Sequence, residues 1–282
     1  MTQKLELVRE TKLFRLIPGT TEDSRLEASG VALADDSSVF VCFDNLNQVA
    51  RIDISLKRGN KNRLFPTPSL GLGFEDIATD LEYGRVFCLI ETLEDFEGAL
   101  HGFVAEYDIK GQFIRCAKLG TQFKQQNKGF EGLAYVRLRG REHLYALCEG
   151  NHGKERKGSG GRIDVFERSR DGSWKPLREI FLPKDAEFED YAALTYGSGK
   201  IAVVSQESAR LWVAEIDEKE RKVVQGSSKV YRFPSKSYGN VEGIAWLTPD
   251  TLIAVSDRKK SQQPSRCAEM DQSIHIFRVP AR

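Results

Sequence analysis

Gly129-Phe130-Glu131-Gly132-Leu133-Ala134-Tyr135 opens a short apolar run, and the phrase returns along the chain with variations. Phe74-Glu75-Asp76-Ile77-Ala78, Phe188-Glu189-Asp190-Tyr191-Ala192 and Val241-Glu242-Gly243-Ile244-Ala245 are further copies. Ala28-Ser29-Gly30-Val31-Ala32 is a fainter one, with Ser29 at the glutamate position. From Ser29 the copies fall at Glu75, Glu131, Glu189 and Glu242, at intervals of 46, 56, 58 and 53 residues. Self-similarity at that period marks a repeat architecture.

Each copy continues in the same way. A second apolar run follows, as in Val39-Phe40-Val41-Cys42-Phe43 or Leu144-Tyr145-Ala146-Leu147-Cys148. Such short β-branched and aromatic runs between polar residues read as buried strands. A third segment alternates polar and apolar residues, as in Arg162-Ile163-Asp164-Val165-Phe166, which suits a strand with one wet side. A fourth is visible as Phe113-Ile114-Arg115-Cys116 and Lys229-Val230-Tyr231-Arg232-Phe233, and weakly near Arg63-Leu64-Phe65. Four strands per repeat and five repeats predict an all-β five-bladed β-propeller of four-stranded antiparallel blades, one domain over residues 1–282. The fifth repeat runs out of chain before its fourth strand, so Lys12-Leu13-Phe14-Arg15-Leu16-Ile17 is expected to complete the last blade and close the ring. No helix is predicted. Phe96-Glu97-Gly98-Ala99 mimics the phrase but starts too soon after Glu75 for a blade, and is expected in a loop.

Composition narrows the function classes. The 42 Lys and Arg against 41 Asp and Glu leave a net charge of +1, which argues against a dedicated nucleic-acid binder. The absence of a long apolar run argues against a membrane span. The N-terminus shows no secretory signal, and five cysteines without paired spacing (Cys42, Cys88, Cys116, Cys148, Cys267) suit a reducing compartment. The expectation is a cytoplasmic monomer with free, mostly core cysteines and no nucleic-acid or membrane partner.

In such a ring the starts of the inner strands and the ends of the second strands meet on one face. The first set is Ser29, Glu75, Glu131, Glu189 and Glu242; the second is Asp44, Glu91, Glu149, Gln206 and Asp257. That many carboxylates cannot all ionise at close range without compensation. One solution is a hard cation, with calcium the best fit, and Ser29, Glu75, Glu131, Glu189 and Glu242 as its ligands. The other is structural: each glutamate bonds backbone N–H groups of the next blade and locks the ring. Long segments follow on the same face, Thr92 to Phe103, Gly150 to Arg162 and Arg258 to Gln272. They bring His101, His152, Lys154, Arg156, Lys157, Arg258, Lys259, Lys260 and Arg266 to the rim, which suits a small anionic ligand above the cation. His152 and Glu149 are the expected catalytic groups, and Lys154, Arg156, Arg258, Lys259, His101 and Gln206 the expected substrate contacts. No phosphate-binding glycine loop and no nucleophile elbow occurs.

Repeated E-G-[IL]-A openings, each followed by an apolar strand ending in Asp or Glu, resemble the bacterial propeller proteins grouped as esterase-like/phytase-like and SdiA-regulated. Leu147-Cys148-Glu149-Gly150-Asn151 and Val204-Ser205-Gln206-Glu207-Ser208 are similar to one branch of that group. The resemblance implies a propeller, calcium and phosphoester chemistry. Two readings stand: a metal-dependent hydrolase of a phosphoester or similar anionic metabolite, and a non-catalytic propeller that binds a ligand or partner protein.

Overall fold

The repeats fold into five antiparallel four-stranded blades, with neighbouring strands in chain order except for the outer strand of the last. A computed structural model describes residues 2–67, 73–126, 128–149, 161–217, 219 and 222–280. Blade 1 consists of Ala28–Asp35, Ser38–Phe43, Gln48–Asp53 and Arg63–Pro66. Blade 2 consists of Ile77–Asp80, Arg85–Glu94, Leu100–Asp108 and Phe113–Phe123, and blade 3 of Phe130–Leu138, Arg141–Cys148, Arg162–Arg168 and Trp174–Phe181. Blade 4 is built from Ala193–Gly197, Lys200–Ser205, Arg210–Asp217 and Lys229–Arg232. Blade 5 has Val241–Thr248, Thr251–Ser256 and Ser273–Arg278, with a fourth strand from the N-terminus. The predicted five-bladed propeller is therefore the fold.

The central residues of the second strands are buried on both faces because they pack against the neighbouring blades. Ser38–Phe43 is buried throughout. The apolar clusters fill the wedges between blades, as where Leu147, Ile163 and Trp212 join blades 3 and 4. Four of the five cysteines are buried and all are free. No helix among the described residues is long and apolar enough to cross a membrane.

Ring closure differs from the sequence expectation in one respect. The strand that completes blade 5 is Glu6–Lys12, paired antiparallel with Ser273–Arg278, and not Lys12 to Ile17. An outermost strand is half exposed and protected by charge, so the Glu6–Lys12 sequence ELVRETK carries little apolar signal. The apolar run beyond it forms a single helical turn, Leu13–Leu16, that buries Leu13, Leu16 and Ile17 against blades 1 and 5. Ahead of the closing strand, Gln3–Lys4 pairs in parallel with the outer strand of blade 4. The N-terminus thus ties two blades together.

The inner strands of blades 1, 3 and 5 each start with a bulge. Phe130 pairs with Cys148 and Gly132 with Leu147, so Glu131 faces no partner. Ser29 and Glu242 occupy the same place in blades 1 and 5. A bulged residue leaves the ladder and its side chain is re-aimed, here towards the axis. Just inside the bulges the strands nearly touch. A Cβ on Gly30 would lie 2.4 Å from Asp76 Oδ1, one on Gly132 2.7 Å from the Leu194 nitrogen, and one on Gly243 2.7 Å from the Gly30 Cα. Glycine is needed there for close approach. Blade 2 alone puts a carboxylate at this level. Asp76 accepts the N–H of Ile77 at 2.8 Å and of Leu133 in blade 3 at 2.7 Å, and also bonds the N–H of Leu194 in blade 4. On the opposite face the same inner strands line a 140 Å³ pit walled by Val31, Ile77, Leu133, Leu194, Ile244 and Trp246.

Candidate functional site

The mouth above Asp76 is acidic, as the repeat pattern predicts, but its charges fall into two unlike halves. On the side of blades 1 and 5, Asp44, Glu242 and Asp257 are served by Lys260. Its Nζ lies 3.3 Å from both Glu242 Oε1 and Asp257 Oδ2. On the side of blades 2 and 3 stand Glu75, Glu91, Glu131 and Glu149. Oxygens of Glu91, Glu131 and Glu149 all lie within 4.8 Å of one another. Lys128 Nζ donates to both oxygens of Glu149, at 2.8 and 2.9 Å, and the Gly129 N–H donates to Glu91 at 3.1 Å. Among the described residues, Glu75 and Glu131 receive no hydrogen bond and form no ion pair.

The electrostatics follow from burial first and like charge second. Burial, then Glu91 and Asp44, hold the Glu75 carboxyl at about 8. Burial, then Glu75 and Glu91, push Glu131 well above the usual carboxylate range. Asp257 lies at about 8 and Asp44 at about 7, both raised mainly by burial. Glu242 is held to about 7 because Lys260 opposes the cost of its burial. The Lys260 ammonium is correspondingly strengthened, by Glu242 above all.

Blade 4 breaks the ring. The sequence phrase aligns Glu189 with Glu131, but the register places Ala192 there: the Ala192 N–H bonds the Val204 carbonyl, and Ala193 pairs with Val204 as Gly132 pairs with Leu147. Glu189 lies three residues upstream and is exposed. Its neighbour Asp190 turns inward instead, to the Ser205 hydroxyl and the N–H groups of Gln206 and Glu207, with its carboxyl raised by burial to about 6. Ser29 also stands outside the cluster, since its buried hydroxyl donates to the Phe74 carbonyl. The backbone-locking role considered for the glutamates belongs to Asp76, one residue later in its phrase.

The rim differs as well. His152, Lys154, Arg156 and Lys157 lie outside the described residues. The segment after Glu91 is mostly strand, because the second strand of blade 2 runs on to Glu94 and the third begins at Leu100. His101 is buried within this extension, its Nδ1 donating to the Thr121 carbonyl at 3.0 Å and its Nε2 lying 3.3 Å from Asp95. Phe96 to Ala99 forms the turn, as expected for the decoy. Of the run Arg258-Lys259-Lys260, the third residue enters the acidic ring, while Lys259 donates to the Lys260 carbonyl. Gln206 accepts from the Gln263 side chain at 3.2 Å, beside a cleft of about 1220 Å³ over blades 4 and 5. Lys260, expected at the rim, reaches inward to the acidic ring instead, and Lys128, which no repeat landmark marks in the sequence, is the second cation at the mouth.

A second constellation lies below this face. Ser256 Oγ is 2.9 Å from His275 Nε2, and His275 Nδ1 is 3.2 Å from Glu10 Oε2, which also accepts the Tyr238 hydroxyl at 3.0 Å. The order of contacts is that of a Ser–His–carboxylate relay. Ser256 and His275 are fully buried, however, so no substrate meets the hydroxyl. The network works as a latch between blade 5 and its N-terminal strand, and burial lowers the His275 pKa and keeps the ring neutral.

No family model matches the chain, and no curated protein matches it in sequence. Solved structures do. Glutaminyl cyclase from Myxococcus xanthus is similar with a TM-score of 0.57 and 14% identity, over 99% of this chain and 98% of that one. The PQQ-bound aldose sugar dehydrogenase from Streptomyces coelicolor gives 0.50 and 13%, over 96% and 98%. The WD40 repeats of RRP9 give 0.52 and 12%, over 99% and 100%. At these identities the likeness is one of fold, and the fold carries enzymes and WD40 repeats alike.

Proposed function

We propose that the protein is a divalent-cation-dependent hydrolase of a small anionic ester, with a phosphoester the fitting substrate class and calcium the fitting ion. The observation that carries this reading is the uncompensated half of the mouth. Glu91, Glu131 and Glu149 converge within 4.8 Å, and among the described residues the lysine beside them, Lys128, is already committed to Glu149. Three carboxylates supply part of the six to eight oxygens that calcium takes and leave positions open on the solvent side. The resemblance to the esterase-like/phytase-like propellers supports the same chemistry.

Within this site Glu91, Glu131 and Glu149 would hold the cation, which when bound would polarise the substrate's anionic oxygens and neutralise charge developing on them. Lys128 fixes Glu149 from the outer side and the Gly129 N–H fixes Glu91, so both ligands are oriented before the ion arrives. Lys260 keeps the opposite wall anchored and charged. Arg258, next to that wall, would offer its guanidinium to the substrate's anionic group.

The test is calorimetric titration of calcium into EDTA-stripped protein, followed by a panel of phosphoesters. Wild type should bind calcium, Glu131→Gln should bind at least about tenfold more weakly while keeping its fold, and turnover should need calcium. Equal binding by both proteins, or turnover indifferent to EDTA, sinks the reading. Calcium binding with no turnover on any anionic ester would favour a non-catalytic ligand-binding propeller.

A further inference from the structure

The cleft over blades 4 and 5 has a cationic wall of unusual order. Lys4 pairs in register with Arg232, and Arg232 pairs in register with Arg210. Three positive side chains therefore stand side by side across three adjacent strands, and all three line the cleft. Directly opposed like charges destabilise a sheet. Several other strand arginines are answered by carboxylates: Arg115 meets Glu106 at 2.7 Å, Arg141 meets Glu167 at 2.8 Å and Arg162 meets Asp164 at 2.7 Å. Along this row no carboxylate answers among the described residues. Lys4 Nζ donates only to the Pro234 carbonyl at 3.3 Å, Arg232 only to the Thr2 carbonyl at 3.4 Å, and the Arg210 side chain to nothing. Glu187, Glu189 and Glu207 line the same cleft without pairing to the row.

We propose that Lys4, Arg232 and Arg210 form the seat for a small molecule bearing two adjacent phosphate groups. Charge counting sets the class. Each phosphate carries about −1.5 to −2 charges at neutral pH, so one leaves the row under-neutralised and two match it. The flat spacing of cross-strand neighbours, about 5 Å between Cβ atoms, suits two groups in a line and not a single tetrahedral anion. Arginine forks also match phosphate geometry. The cleft continues to Glu149 and Lys260, so a molecule seated on the row reaches towards the acidic mouth. The seat itself does not depend on cation chemistry there, and its test omits the cation.

Inorganic pyrophosphate and inorganic phosphate are titrated separately into the full chain in EDTA at low salt, for wild type, Arg210→Gln/Arg232→Gln and Arg210→Lys/Arg232→Lys. Wild type should bind pyrophosphate at least tenfold tighter than phosphate, and the affinity should fall as salt rises. The glutamine variant should lose at least tenfold in pyrophosphate affinity without a lower melting temperature, because it relieves a repulsion. The lysine variant should recover a measurable part of that loss. Equal pyrophosphate affinity in wild type and the glutamine variant, no binding by wild type at millimolar concentration, or no preference for pyrophosphate over phosphate would each overturn the proposal. A failure of calcium to bind at the mouth would leave these results unchanged.

Discussion

Replacing Glu75 with glutamine should stabilise the cation-free protein, and by an amount that grows with pH. The Glu75 carboxyl is held at about 8 because burial, then Glu91 and Asp44, oppose its charge, whereas in the unfolded chain it ionises near 4.5. Between those values the folded state keeps a proton that the unfolded chain gives up, so raising the pH drives unfolding. From 4.5 to pH 7, at about 1.4 kcal/mol per pH unit, the loss reaches roughly 3 kcal/mol. Glutamine has the same shape and cannot ionise. At roughly 2 °C per kcal/mol for a chain of this size, Glu75→Gln should melt about 6 °C higher relative to wild type at pH 7 than at pH 4.5. Thermal unfolding in EDTA across pH 4.5–8 measures this directly. A melting difference that stays constant over that range would refute the reasoning, since it would mean that Glu75 ionises normally in a solvated mouth.

Other outcomes follow from the same structure. Saturating calcium should flatten the wild-type loss of stability between pH 5 and 8, gaining about 2.7 kcal/mol at a hundred times its dissociation constant, as read from melting curves with and without EDTA. Asp76→Ala should cost roughly 3 kcal/mol in urea unfolding, because it orphans the N–H groups of Leu133 and Leu194 at about 1–3 kcal/mol each. Lys260→Met should cost about 2 kcal/mol at neutral pH, the partial exposure of Lys260 moderating the loss of a partner for fully buried Asp257, and lowering the pH should recover part of it. His275 is held neutral by burial, so its folded pKa lies below the ordinary 6.5 and acid favours the unfolded chain below that pH. His275→Gln should weaken this acid limb, a change visible in melting curves between pH 4.5 and 6.5.

The architecture was legible because blade formation is repetitive. The same apolar wedge recurs five times, and each Gly or small residue beside Glu131, Glu242 and Ser29 answers the same crowding at the axis. Register within a repeat was less legible. Phe188-Glu189-Asp190 and Phe74-Glu75-Asp76 are the same letters, yet Tyr191 takes the place of the ring aromatic and shifts Glu189 out of the mouth. Only hydrogen-bond pairing fixes such a slip, and pairing is non-local. The closing strand is hard to place from sequence for a related reason: an edge strand is chosen for what it excludes, so ELVRETK looks like surface. Lys4, Arg232 and Arg210 lie up to 228 residues apart in sequence, and no local pattern joins them.

Asp76 gives the propeller a floor. Its carboxylate and the packed glycines around it stopper the axis between the acidic mouth and the apolar pit, so the ring is a cup and not a tunnel. Among the described residues the mouth has one way in, so a molecule bound there as proposed would have to back out the way it came before another could enter. A compound that caps the rim would shut in a bound molecule as effectively as it shuts out a new one. The pit on the far side is insulated from this exchange, and anything docked there can influence the mouth only by pushing on the blades.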